Sequence, residues 1–301
     1  MQASLAVARP APESARPPTF WAVAWKVTRA RPSRLLGLGI IVFFALMAIF
    51  GPMLYPKNLP IDPTALYAPP SLVHPLGTDF AGTDTLSLII TGARYVLFAA
   101  AMAGLFVALF GTVVGLASGY LGGLTDSILM RVTDFILTIP GFPLLVVLST
   151  VWKFGQPVAM GFVLGIVGWG GLARAVRSQT LSLRERGFVE ASRGLGMSSL
   201  HTIFKEILPN VMPYIAMNLL VAIVGSIYSE VGLFFLGVVP FNVNNWGVML
   251  NLAVFSAGAI TTVQALPYLI SPMVAILLVT LGVVLFLDAV DEMFNPRLRG
   301  A

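Results

Sequence analysis

Apolar stretches of roughly twenty residues recur along this chain, and that recurrence constrains its fold more than any other feature. A helix rises about 1.5 Å per residue, so each stretch matches a hydrocarbon core about 30 Å thick. Six of them run over residues 35–54, 95–118, 128–151, 158–176, 212–237 and 268–290. With only 10% charged residues, the chain lacks the polar surface of a water-soluble domain, which carries about 25%. The expected fold class is an all-α integral membrane protein with six transmembrane helices. Residues 1–34 read as a basic, disordered cytosolic tail and residues 35–301 as the membrane domain. No apolar run precedes Leu35, which is too late for a signal peptide.

The segments between the spans carry further expectations. A Pro-rich loop starts at Tyr55 and holds Pro60, Pro63, Pro69, Pro70 and Pro75. A short helix from Thr83 to Arg94 then leads into the second span. The third span contains Pro140 and Pro143, which a bundle tolerates when neighbours resatisfy the backbone. Arg131 and Asp134 stand three apart near its inner end, the spacing of a helical ion pair. Residues 247–266 carry no charge and are long enough to cross, but charge placement favours a re-entrant or interfacial helix anchored by Trp246. With six spans and an internal N-terminus, only Lys57, Arg94 and Lys153 fall outside. A seventh span would push Arg297 and Arg299 out as well. Both termini are then cytoplasmic.

The same distribution argues against nucleic acid as partner despite the net charge of +5, because the basic residues are scattered over several inner segments. Cysteine is absent, which excludes disulfide frameworks, thiolate metal sites and a cysteine nucleophile. His74 and His201 lie on opposite sides of the membrane in this topology and make no metal pair.

Between the fourth and fifth spans, residues 177–210 read as two helices with a small-residue turn. Ser182 and Glu185 have capping-box spacing, so a helix is expected from Leu183 to Arg193, ended by Gly194 and Gly196. Ser198 or Ser199 caps a second helix whose Leu200, Ile203, Phe204 and Ile207 share one face, and Pro209 stops it. Ala191, Ser192, Gly194 and Gly196 allow close approach of another surface, while Glu190 and Arg193 offer polar contacts.

These residues resemble the signature of ABC importer permeases, written E-A-A-x3-G-x9-I-x-L-P. Glu190, Ala191, Gly196, Leu208 and Pro209 fall in register; Ser192 replaces the second Ala and Glu206 the Ile, with Ile207 expected to do the packing. The chain further resembles the second permease of the dipeptide, oligopeptide and nickel group. That likeness rests on His74 to Asp79, Gly92-Ala93-Arg94, Gly119-Tyr120, Met130-Arg131, Gly168-Trp169, Arg174, Leu236-Gly237, Trp246-Gly247 and Asn295-Pro296-Arg297-Leu298. Thr83 stands where that group carries Arg, which puts a charge pairing there in question.

The resemblance implies a type I ABC importer permease fold in a prokaryotic cell membrane, with a cytosolic coupling helix gripped by a partner ATPase. It implies a heterodimer with a homologous permease, two cytosolic ABC ATPases and an extracytoplasmic substrate-binding protein. ATP and Mg would be held by the ATPases and no cofactor by this chain, which has no G-x4-G-K-[S/T] phosphate loop of its own. The cargo would be a di- or oligopeptide, with nickel, glutathione or oligosaccharides as alternatives. Glu230, an ionisable residue within the fifth span, is either a gate or a structurally satisfied group. Small and polar positions such as Thr112, Ser118, Thr138, Ser149, Asn218 and Ser226 are candidates for the path or for helix packing. An ATP-independent secondary transporter or channel is the rival class; a membrane enzyme lacks the constellation it would need.

Overall fold

The computed structural model describes residues 19–55, 62, 64–151, 156–241, 243–259 and 262–294. Its helices are α1 (Phe20–Arg29), α2 (Pro32–Leu54), α3 (Thr85–Leu121), α4 (Gly123–Thr138), α5 (Gly141–Val151), α6 (Pro157–Arg184) and α7 (Gly187–Gly194). They continue with α8 (Ser199–His201), a π-helical turn (Thr202–Ile207), α9 (Leu208–Phe235), α10 (Trp246–Asn251) and α11 (Leu266–Phe294). Among the described residues five rods are long and apolar enough to cross a membrane, and α4 with α5, bent by 85°, brings the number to six when the pair is counted as one span. Residues 1–18, Lys57, Pro60, Pro63, Lys153 and the Asn295–Leu298 landmark lie outside the described residues.

A glycine seam between α3 and α6 organises the bundle. Gly111, Gly115 and Gly119 recur every four residues on α3, so they share one face. A Cβ on Gly115 would stand 2.6 Å from the Ala173 carbonyl oxygen, and one on Gly119 would stand 2.7 Å from Thr180 Cβ. Further along, Gly161 and Gly165 of α6 return the favour, with Cβ positions 2.5 Å from the Ala99 oxygen and 2.7 Å from Phe106 Cβ. Lipid gives helices no hydrophobic reason to associate, so close backbone approach over small residues holds them together.

Several sequence expectations are corrected by packing. The short helix at 83–94 and the second span are one rod, α3, because Asp84 caps it once, accepting from the Ser87 N–H, and no break follows. At 37 residues it extends about 55 Å, well beyond the hydrocarbon core. The third span is broken rather than merely strained. Ile139, which precedes Pro140, is extended at φ −82° and ψ 126°, the conformation proline imposes on its predecessor. Asp134 is paired with Arg174 of α6 at 2.6 Å instead of with Arg131. Part of the expected disordered tail is the helix α1, capped by Thr19 and packed through Val23, Ala24 and Val27 on Ala289 and Met293 of α11.

Pro209 does not stop the helix that Ser198 starts. Proline lacks the N–H that an α-helix would bond four residues back, and the chain absorbs this by widening into the π turn just before it, with the Leu208 N–H bonding to the Ile203 carbonyl. Residues Ser199–Phe235 thus form one rod. The apolar stretch Trp246–Ser256 is too short to cross. Trp246 is not an interfacial anchor: it is fully buried, with Nε1 donating to the Ile89 carbonyl at 3.0 Å.

The loop after α2 is folded against this same end of the bundle. Asp79 Oδ1 accepts from the backbone N–H groups of Ala81 and Thr83 at 2.8 and 2.7 Å, so its charge is satisfied without an Arg at position 83. His74 Nδ1 and Tyr55 meet the Asp84 carboxylate at 2.9 and 3.1 Å. Tyr67 donates to the Ala257 carbonyl at 2.8 Å, and Phe80 packs edge-on against Tyr268. Burial, helped by the Asp79 charge, raises the Tyr67 phenol above its ordinary value, so it remains a donor. These contacts put residues 64–84 and α10 on one side and leave the α6–α8 connection on the other.

Candidate functional site: the elbow between α6 and α8

The elbow is built by two local signals and one tertiary one. α6 runs on through Ser182 to Arg184, so the expected capping box is not used. Thr180, fully buried against Gly119, carries the helix past the point where local sequence would end it. α7 therefore begins at Gly187, with no side-chain cap on Arg186.

Its end is a Schellman motif. Gly196 adopts φ +75°, the Gly196 N–H bonds to the Arg193 carbonyl at 2.9 Å, and the Met197 N–H reaches back to the Ser192 carbonyl at 3.2 Å. The glycine of the signature is thus the left-handed residue that closes the helix. Ser198 then accepts from the His201 N–H at 3.2 Å and opens α8. Leu236-Gly237 ends α9 in the same way, with φ +69° and the Val238 N–H on the Leu233 carbonyl.

The predicted contact residues divide between two faces. Val189 and Ser192, three apart, turn inward. Val189 is completely buried among Ile203, Ile207 and Val211, and Ser192 Oγ lies 3.3 Å from Thr202 Oγ1. Arg193 places its guanidinium 4.9 Å from the centre of the Tyr120 ring, so its charge serves the seating of the elbow on α3. Glu190, Ala191, Gly194 and Gly196 remain exposed, beside Phe188 and Leu195, the latter 76% exposed. A Cβ on Gly187, Gly194 or Gly196 would meet nothing within 4 Å. Ile207 is fully buried and Glu206 is not, which bears out the exchange of roles read from the signature. Leu208 packs on the same apolar cluster, and Pro209 is exposed.

Residues far away in sequence complete the seat. Asp126 accepts from Arg177 Nε and Nη2 at 2.5 and 2.6 Å and from Ser118 Oγ at 2.7 Å. This bidentate clamp locks α3, α4 and α6 together directly behind the elbow. Arg184 Nη1 adds a contact to the Tyr120 carbonyl at 3.5 Å. The Asp126–Arg177 pair leaves no signal in the sequence, because nothing local pairs residues 51 apart.

Glu230 lies elsewhere, near the opposite end of α9. It is fully buried, and its Oε1 accepts from Asn245 Nδ2 at 2.6 Å. Asn245 in turn caps α10, its Oδ1 accepting from the Gly247 N–H at 2.7 Å. Gly247 is pressed on α9 so tightly that a Cβ would stand 2.4 Å from the Val231 carbonyl oxygen. The geometry makes Glu230 the positioning group for α10. Glu230→Gln keeps an acceptor for Asn245 and is expected to leave fold and transport intact. Glu230→Ala strands a buried donor and should cost about 1–3 kcal/mol, measured as thermal unfolding in detergent. A folded Gln variant that fails to transport would instead assign a gate.

A bundle of long apolar helices with a seated, outward-facing elbow defines a polytopic membrane protein. The chain belongs to the family described as binding-protein-dependent transport system inner membrane component, whose sequence model matches residues 111–300. A second model, the N-terminal TM domain of oligopeptide transport permease C, matches residues 19–70. The dipeptide transport system permease protein DppC of Bacillus subtilis is 36% identical over 76% of this chain and 72% of its own length. The oligopeptide transport system permease protein OppC of the same organism is 34% identical over 77% and 76%. Among solved structures, inward-facing MetNI methionine ABC transporter has a chain with TM-score 0.49 and 17% identity, covering 67% of this chain and 96% of that one.

Proposed function

We propose that this chain is the second permease subunit of an ATP-driven importer of di- or oligopeptides. It forms half of a pore beside a homologous permease, receives cargo from an extracytoplasmic binding protein and keeps both termini in the cytoplasm. Two cytosolic ATPases hold ATP and Mg and do the hydrolysis; one of them grips α7. The single observation that carries this reading is the elbow itself. Its outer face offers Glu190, Ala191, Gly194 and Gly196, while its inner face is bolted to the ends of α3, α6 and α9. A displacement of α7 would therefore move three spans at once. The peptide cargo follows from what the dipeptide and oligopeptide relatives are named for. Nickel, glutathione and oligosaccharides are the alternative cargoes.

The absence of native cysteine makes a direct test available. Single cysteines at Ala191 and Gly194 are expected to cross-link to a co-expressed ATPase in whole cells, while one at Ser192, which is buried against Thr202, is not. No ATPase captured from either exposed position would overturn the assignment. Cargo flux through the chain alone in liposomes, without ATP, would favour the secondary-transporter class instead.

A further inference from the structure

We propose that α1 is a docking helix for anionic phospholipid, with Trp21 and Trp25 seated at the acyl boundary of the bilayer and Arg29 and Lys26 on headgroup phosphates. This inference does not depend on the transport reading. Ten residues rise about 15 Å, half of a hydrocarbon core, so α1 cannot cross. At about 100° per residue, Val23, Val27, Ala24 and Thr28 occupy one side of the helix. There Val27 and Thr28 are buried, and Val23, Ala24 and Val27 pack on the end of α11.

The remaining arc reads, in angular order, Trp21, Trp25, Arg29, Ala22, Lys26, and all five are exposed. The two indoles are 79% and 58% exposed and lie about 90° from the midpoint of the two cations. Indole rings partition to the boundary between headgroups and acyl chains, and cations one quarter-turn away then sit at the level of the phosphates. No acid occurs in FWAVAWKVTR, and Arg31 follows two residues after its end. A soluble acidic partner would satisfy the cations but leave the indoles in water, whereas an anionic bilayer satisfies both.

The height of α1 is set by the spans. Buried Arg34 of α2 donates from Nη1 to the Val27 carbonyl at 3.1 Å and pairs through Nη2 with Glu292 of α11 at 2.6 Å. One guanidinium thus ties the last turn of α1 to the ends of two spans.

Nitroxide labels on Trp25→Cys and, separately, Lys26→Cys of the full chain can be read in phosphatidylcholine vesicles with and without phosphatidylglycerol. The label at 25 is expected to collide with dissolved oxygen and that at 26 with a water-soluble nickel chelate. Phosphatidylglycerol should raise the oxygen-accessible share at 25, and Arg29→Gln should cut that gain roughly fivefold. Because Trp25→Cys removes an anchor, brominated phosphatidylglycerol provides a second readout. It should quench the indole emission that Trp25→Phe deletes. Equal access of both labels to the chelate, concealment of both from either reagent under protein, indifference to phosphatidylglycerol, or absent quenching would each overturn the proposal.

Discussion

Replacing Gly196 with valine is expected to lower ATP-driven uptake by roughly tenfold or more while the chain still inserts, because a left-handed β-branched residue costs at least about 1–2 kcal/mol. That cost would reopen the Schellman motif and let α7 unwind from its C-terminal end. Open space around the Gly196 Cβ position makes a series of replacements informative. If backbone conformation alone matters, uptake falls in the order Gly, Asn, Ala, Val, since asparagine tolerates the left-handed region. If an ATPase closes over the turn, Asn falls as far as Ala. Uptake that is unchanged in the valine variant, measured in vesicles with the partner subunits present, would remove the elbow from the mechanism.

Gly115→Leu should have the largest effect on the fold. Its Cβ alone would be 2.6 Å from a backbone oxygen and 2.7 Å from Val176 Cβ, and neither neighbour can swing away as a long side chain could. α3 and α6 must separate, which opens the glycine seam and pulls apart Ser118 and Arg177, the two groups that Asp126 of α4 holds together behind the elbow. Overpacking costs about 1–3 kcal/mol where side chains can adjust, so a loss at or above the top of that range is expected here. Thermal unfolding of the detergent-solubilised chain reads it directly, with Gly39→Leu as control, since a Cβ there meets nothing within 4 Å. Equal melting of the two variants would mean that the seam is not what holds the bundle.

Much of this was legible in the amino-acid sequence for a clear reason. Hydrophobic length against bilayer thickness gives the spans, and a turn that needs a left-handed residue announces itself as Gly196. The spacing of Val189 and Ser192 against Glu190 and Ala191 also holds the two faces of α7, but not which face is inward. The α3–α6 seam was present as glycines four apart and could have been found by that spacing. Its partner residues on the other helix could not.

The sequence by itself determined the solvent, the number of crossings and the elbow between the fourth and fifth spans, because each depends on local length, polarity or backbone conformation. Only the tertiary structure decided that α6 outruns its capping box, that Pro209 is absorbed by a π turn, that Ser192 turns inward and that the exposed Arg193 reaches the Tyr120 ring. It likewise paired Asp126 with Arg177 and Glu230 with Asn245. For the capping box a local preference worth about 1 kcal/mol gives way to burial of Thr180 against Gly119, and the two pairings join residues whose partners no local pattern specifies.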